Sequence, residues 1–155
     1  MSIPADPYAL WRRVSSLPGG RWLFSRLFAL MVPYTGTVGL DVLEMAPGRA
    51  RTRLRDRRRV RNHLASIHAI ALCNVGEATT GLAMMTRLPR GARAILVGLE
   101  AQYVKKARGL LTAEALCPEV PDATERDLPL TATIRDHTGE VVATVLARWR
   151  VGPAR

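Results

Sequence analysis

One carboxylate, Glu77, stands alone in a long uncharged stretch of this 155-residue sequence. It is the only formally charged residue between Arg61 and Arg87, although 23% of the chain is charged and about six charges would be expected there. The stretch is rich in Ala, Leu and Met, which predicts a largely buried helix from about His68 to Met85. Burial raises the proton affinity of a carboxylate, and a carboxylate in that state suits general-base chemistry.

The predicted helix start offers a second chemical resource. The first backbone N–H groups of a helix lack intrahelical partners and lie at the positive end of its dipole. They can therefore polarise a carbonyl, as an oxyanion hole does, and Ala69 and Ile70 are the candidate donors. Asn62 and His68 lie just upstream and could supply polar partners for the carboxylate.

The spacing of these residues resembles a known family. Asn62-x5-His68-x8-Glu77 is similar to the Asn-x5-His-x8-Asp/Glu pattern of hotdog-fold acyl-CoA thioesterases of the phenylacetate-pathway type. The run from Tyr103 to Gly109, YVKKARG, looks like the strand and bend that follow the helix in those proteins. The resemblance covers about residues 36–151 and is closest to an uncharacterised branch of domains of unknown function.

The resemblance implies a role for each matched residue. Glu77 would act as base or nucleophile from the opposite subunit of a dimer, and the Ala69 N–H, with that of Ile70, would hold the thioester oxygen. Asn62 and His68 would place water and substrate. Binding of substrate or of its coenzyme A part falls to Ile70, Asn74, Lys105, Lys106 and Arg108. No metal and no cofactor is implied beyond the coenzyme A of the substrate.

One departure from the family pattern lies at the helix start. Relatives commonly carry His-Gly-Gly there, whereas this chain has His68-Ala69-Ile70. The N–H donors remain, but the Ile70 side chain adds bulk where a thioester should approach. A non-catalytic protein that binds an acyl or coenzyme A ligand is therefore the alternative function. A hotdog dehydratase is a further possibility, but its expected Asp/His pairing is not visible.

The elements that must position these residues follow from periodicity and turn signals. Helical spacing of apolar residues covers residues 6–17 and 20–32, and alternation predicts six strands, at residues 37–45, 49–55, 95–103, 110–116, 128–134 and 141–149. This order predicts an α+β hotdog fold, an antiparallel sheet wrapped around one long central helix. We divide the single domain into an N-terminal helical extension, 1–35, and a hotdog domain, 36–155. The edges of a six-stranded sheet favour a homodimer or homotetramer.

The chain has a net charge of +10, and most of its basic residues are arginine. Arg49, Arg51, Arg53, Arg55 and Arg57 alternate along a predicted strand. A solvated strand face explains this row, and capture of coenzyme A phosphates is the functional alternative. Nucleic-acid binding is a weaker hypothesis because no recognised motif is present and few aromatics are available for base stacking.

Cysteine usage and hydropathy indicate the compartment. Cys73 and Cys117 show neither a CxxC motif nor a disulfide framework, and no signal peptide is evident. The apolar run 22–32 is too short to span a bilayer. We therefore expect a cytoplasmic protein with no membrane association.

Overall fold

The computed structural model describes residues 6–154 of the chain. Three short helices come first, then a sheet of six strands with one long helix inserted after the second strand. The elements are α1 (Pro7–Val14), α2 (Gly20–Met31), α3 (Pro33–Val38), β1 (Asp41–Ala46), β2 (Arg49–Leu54), a 3-10 turn (Arg58–Val60), α4 (Ala69–Met85), β3 (Ala92–Tyr103), β4 (Leu111–Leu116), β5 (Arg126–Arg135) and β6 (Val141–Pro153).

The six strands form one antiparallel sheet in the order β1-β2-β4-β5-β6-β3. The helix α4 lies against β2, β4, β5 and β6, and its Leu72, Val75 and Leu82 are buried there. Their spacing follows the 3.6-residue period of a helix that turns one apolar stripe to the sheet. The sheet on one long helix confirms the predicted α+β architecture.

A glycine allows α4 to approach the sheet closely. A Cβ on Gly76 would lie 2.3 Å from Cβ of Val145 on β6, far inside van der Waals contact. One turn later, Trp149 Nε1 of β6 donates a hydrogen bond of 3.1 Å to Oγ1 of Thr80. The absence of a side chain at Gly76 and the buried hydrogen bond between Trp149 and Thr80 therefore allow α4 to pack closely on β6.

The N-terminal helices pack on the domain. Trp11 of α1 and Phe24 of α2 meet edge to face with ring centroids 5.1 Å apart. Phe28 stacks on Phe24 at 6.2 Å, and all three rings belong to the same hydrophobic core as α4. The expected boundary between residues 35 and 36 falls inside α3.

The start of the first predicted strand was wrong. Residues 37 and 38 lie in α3, and β1 begins only at Asp41. Pro33 occupies the first turn of α3, where its fixed φ and missing N–H cost nothing. Gly39 then ends the helix at φ +77°, a left-handed conformation that favours glycine.

Candidate functional site

The start of α4 carries a free backbone donor. His68 is the N-cap residue, with extended backbone at ψ 140°, and its Nδ1 accepts the Ile70 N–H at 3.1 Å. Within residues 6–154 no group accepts the N–H of Ala69. The two predicted donors therefore differ: the Ile70 N–H is occupied by His68, which corrects the prediction for that residue, and the Ala69 N–H is available.

Asn62 shapes the loop that leads into α4. Its Oδ1 accepts the N–H groups of Leu64 at 2.9 Å and Ser66 at 3.2 Å. The same loop holds Ala65 at φ 52°, a backbone conformation that side chains other than Gly, Asn and Asp rarely adopt. The Asn62 carboxamide thus stabilises a strained turn, because its oxygen satisfies two N–H groups that the turn leaves without strand or helix partners.

Asn62 and Ala69 line one cleft of about 250 Å³ with Tyr103, Lys105 and Lys106. Ile70 and His68 line a different cavity, of about 680 Å³, on the other side of the helix start. The Ile70 side chain, 53% exposed, therefore lies outside the cleft that contains Ala69. The Ile70 side chain, which departs from the family pattern, is therefore directed away from the N–H of Ala69.

Tyr103 is a site residue that sequence reasoning did not single out. Its hydroxyl donates to the Ala69 carbonyl oxygen at 3.3 Å and lies 3.1 Å from Sγ of Cys73. Burial, and then the hydrogen bond with Cys73, raise the pKa of Tyr103 to about 12. The phenol therefore stays neutral and holds the end of β3 on the first turn of α4. Its position as the last residue of an alternating strand was the available signal.

The three basic residues expected to bind coenzyme A differ in the ion pairs and hydrogen bonds that they form within the chain. The Lys105 ammonium contacts Asp136 at 2.7 Å and also Glu140. Arg108 Nε donates to the Ala65 carbonyl oxygen at 3.3 Å and so supports the loop before α4. Lys106 is exposed and forms no ion pair with any described residue.

Glu77 lies on α4 eight residues after Ala69, which corresponds to roughly 12 Å along the helix axis. It is half-buried and lines a small cavity of about 60 Å³ with Phe28, Val32 and Thr35. Among residues 6–154 no group donates a hydrogen bond to its carboxylate. Burial raises the pKa of Glu77. A single chain thus keeps the carboxylate apart from the Ala69 N–H.

The face of α4 that carries Glu77 is covered in part by the same chain. Of the residues that share the cavity with Glu77, Phe28 comes from α2, Val32 from the link between α2 and α3, and Thr35 from α3. Asn74, one turn earlier, donates from Nδ2 to Thr35 Oγ1 at 3.0 Å. The resemblance implies that Glu77 acts across a dimer interface, and α2 and α3 of the same chain cover part of the face that carries it.

The raised pKa of Glu77 makes its burial a cost to stability at neutral pH. The charged form is disfavoured in the folded chain, so stability is full below the unfolded pKa and is lost as pH rises through the higher folded pKa. We expect Glu77→Gln to be more stable than wild type in urea at about pH 7 and to lose that advantage as the pH falls towards about 4.3, the ordinary pKa of glutamate in an unfolded chain. Glu119→Gln, in an exposed loop, is the control and should show no such trend. A Glu77→Gln protein less stable than wild type at about pH 7 would contradict this assignment.

Ion pairs occupy most of the arginine row. Along β2, Arg49 Nε lies 2.7 Å from Glu114, Arg53 lies 3.1 Å from Asp41 and Arg51 lies 3.8 Å from Glu44. Arg55 also contacts Asp41, at 3.3 Å. These side chains form a solvated strand face in which positive and negative groups alternate.

Comparison with solved structures identifies the fold. A crystal structure solved as a genomics target is 26% identical with TM-score 0.82, over 96% of this chain and 98% of that chain. A protein of unknown function and probable thioesterase from Pseudomonas aeruginosa is 22% identical with TM-score 0.77, over 88% and 97%. A phenylacetic acid degradation-related protein from Ralstonia eutropha is 17% identical with TM-score 0.65, over 76% and 89%. The chain shares the fold of these structures, the hotdog fold that the resemblance predicted.

The family follows from the sequence itself. The model of DUF4442, a domain of unknown function, matches residues 20–151. The chain therefore belongs to the DUF4442 family, which agrees with the predicted uncharacterised branch. A search of curated proteins finds no match. Among the described residues no helix has the length and apolarity to cross a membrane.

Proposed function

We propose that this protein hydrolyses acyl-CoA or a related acyl thioester at a site shared by two copies of the chain. One observation carries the proposal: within residues 6–154, the N–H of Ala69 at the start of α4 has no acceptor and the half-buried carboxylate of Glu77 on the same helix has no hydrogen-bond donor. An oxyanion donor and a base are the two groups that thioester hydrolysis requires.

A second copy is needed because the two groups cannot meet on one thioester within a single chain. The edge strand β3 favours such an assembly. Ile95, Val97 and Leu99 are between 42% and 50% exposed along it, and the strand is twelve residues long. A long apolar edge with unpaired backbone groups is a template for pairing with another strand. The symmetric partner is a second β3, because an isologous contact uses the same surface on both copies.

The reaction follows from the two groups. The thioester carbonyl oxygen accepts the Ala69 N–H, which stabilises the negative charge that develops there. Glu77 of the other copy removes a proton from water, and the resulting hydroxide attacks the carbonyl carbon. Collapse of the tetrahedral intermediate breaks the carbon–sulfur bond, and the protonated Glu77 returns its proton to the leaving sulfur. A carboxylic acid and a thiol are released and the carboxylate of Glu77 is restored. The raised pKa makes Glu77 a stronger base than an exposed carboxylate.

Hydrolysis across a panel of acyl-CoA chain lengths tests this function. We expect release of free thiol by wild type and none above background by Glu77→Gln, because the amide cannot accept the proton from water. Equal turnover by both proteins would overturn the role of Glu77. Binding of acyl-CoA without turnover by either would establish instead the non-catalytic alternative.

A further inference from the structure

Three consecutive arginines before the helix start, Arg57 to Arg59, have no carboxylate partner within residues 6–154. The other four arginines of the row pair with Asp41, Glu44 and Glu114, and Arg61 pairs with Asp56 at 2.6 Å. Among residues 6–154, Arg57 and Arg59 pair with no acidic side chain. Arg57 lies in the link between β2 and the 3-10 turn, and Arg59 lies within that turn.

The guanidinium groups of these two arginines converge on Gly39. Nη2 of Arg59 lies 2.1 Å, and Nη1 of Arg57 lies 3.4 Å, from the point that a Cβ of residue 39 would occupy. Glycine at this position thus makes room for the Arg59 side chain. Two like charges held at one point repel each other, and an anion between them would remove that repulsion.

The arginine pair adjoins the larger cavity at the start of α4. Arg59 lines this space of about 680 Å³ together with Arg61, His68, Tyr34 and Thr37. No acidic residue of the described chain lines it, whereas hydroxyl and guanidinium donors are present. Its volume is in the range that holds a small organic ligand. The cavity therefore combines positive charge and hydrogen-bond donors with room for a nucleotide-sized group.

We propose that Arg57 and Arg59 clamp a phosphate group on the carrier of the substrate, an inference that rests on the proposed thioesterase function for its biological setting. Arginine suits the task because its planar fork binds phosphate through paired hydrogen bonds. The phosphate comes either from the nucleotide end of coenzyme A or from phosphopantetheine on a carrier protein. Both sources present the same phosphate group, and the cavity would hold this group beside the start of α4.

Binding measurements test the clamp independently of turnover. Calorimetric titration would compare wild type, Arg57→Gln/Arg59→Gln and the matched control Arg58→Gln. The Arg58 side chain is exposed and supplies none of the three atoms nearest to the Cβ position of residue 39. The probes are coenzyme A, adenosine 3′,5′-bisphosphate, phosphopantetheine and pantetheine. We expect the double variant to lose about 10- to 100-fold in affinity for the phosphorylated carrier, so that its preference over pantetheine collapses. The control should bind like wild type.

The outcomes separate the two proposals. Tight binding of adenosine 3′,5′-bisphosphate by wild type would identify coenzyme A as the source, and binding of phosphopantetheine alone would identify a carrier protein. A double variant that binds these probes as tightly as wild type overturns the clamp, even if the protein hydrolyses thioesters. Loss of phosphate binding in a protein without thioesterase activity supports the clamp and overturns only the hydrolysis. Wild type that binds no phosphorylated probe overturns the clamp.

Discussion

Replacement of Ala69 by proline is expected to abolish most thioester hydrolysis while leaving the fold intact. The change removes the backbone N–H that we assign to the developing oxyanion, and loss of one such donor typically lowers kcat by about 10²–10³-fold. The position tolerates proline for two reasons. Ala69 is the first residue of α4, where the N–H has no acceptor among the described residues, and His68 before it is extended at ψ 140°, as a residue before proline prefers.

The measurement is kcat/KM on the best acyl-CoA of the panel, with thermal unfolding as the test of the fold. Ala69→Gly keeps the N–H and is the matched variant, which should retain most of the activity. A folded Ala69→Pro protein with wild-type turnover would show that this N–H does not bind the thioester oxygen.

Gly76→Ala is expected to destabilise the protein by about 1–3 kcal/mol, the typical cost of an overpacked core. A new Cβ would lie 2.3 Å from Cβ of Val145, so α4 must move away from β6. The usual gain of alanine over glycine in a helix, about 0.5–1 kcal/mol, offsets only part of this cost. Urea unfolding at fixed protein concentration measures the change.

A matched glycine and a compensating substitution make this result specific. Gly152 lies on β6, the strand that carries Val145. The heavy atom nearest to an added Cβ at Gly152 is 3.9 Å away, so Gly152→Ala should change stability little. Combining Gly76→Ala with Val145→Gly should give a favourable coupling energy, because loss of the Val145 side chain makes room for the new Cβ and the new Cβ fills part of that space. Additive effects in that double variant would mean that the contact does not limit the approach of the helix.

The fold was largely predictable because its signals are local. The long helix was predicted from about His68 to Met85 and spans Ala69–Met85, since composition and period agree over many residues. The six strands were found with ends displaced by a few residues. The helix α3 was missed because Thr37 and Val38 are β-branched and resemble a strand, although Pro33 and Gly39 bound it in the manner of a helix.

The site was less predictable because its roles depend on contacts distant in sequence. Sequence order could not show that His68 Nδ1 occupies the Ile70 N–H, or that Ala69 and Ile70 line different cavities. Nor could it show which arginines find carboxylates, since Asp41 and Glu114 reach β2 from neighbouring strands. Such assignments require the strand pairing and side-chain directions that only the folded chain supplies.

The central claim is that one site takes its oxyanion donor from one protomer and its base from another. The direct test is a heterodimer of Glu77→Gln and Ala69→Pro protomers, isolated with two different affinity tags. Each parent is expected to be inactive, whereas the heterodimer restores one intact site of two and about half of the wild-type activity. A heterodimer as inactive as its parents, beside an active wild type, would contradict the shared site. It would mean that the Ala69 N–H and the Glu77 carboxylate must come from the same chain.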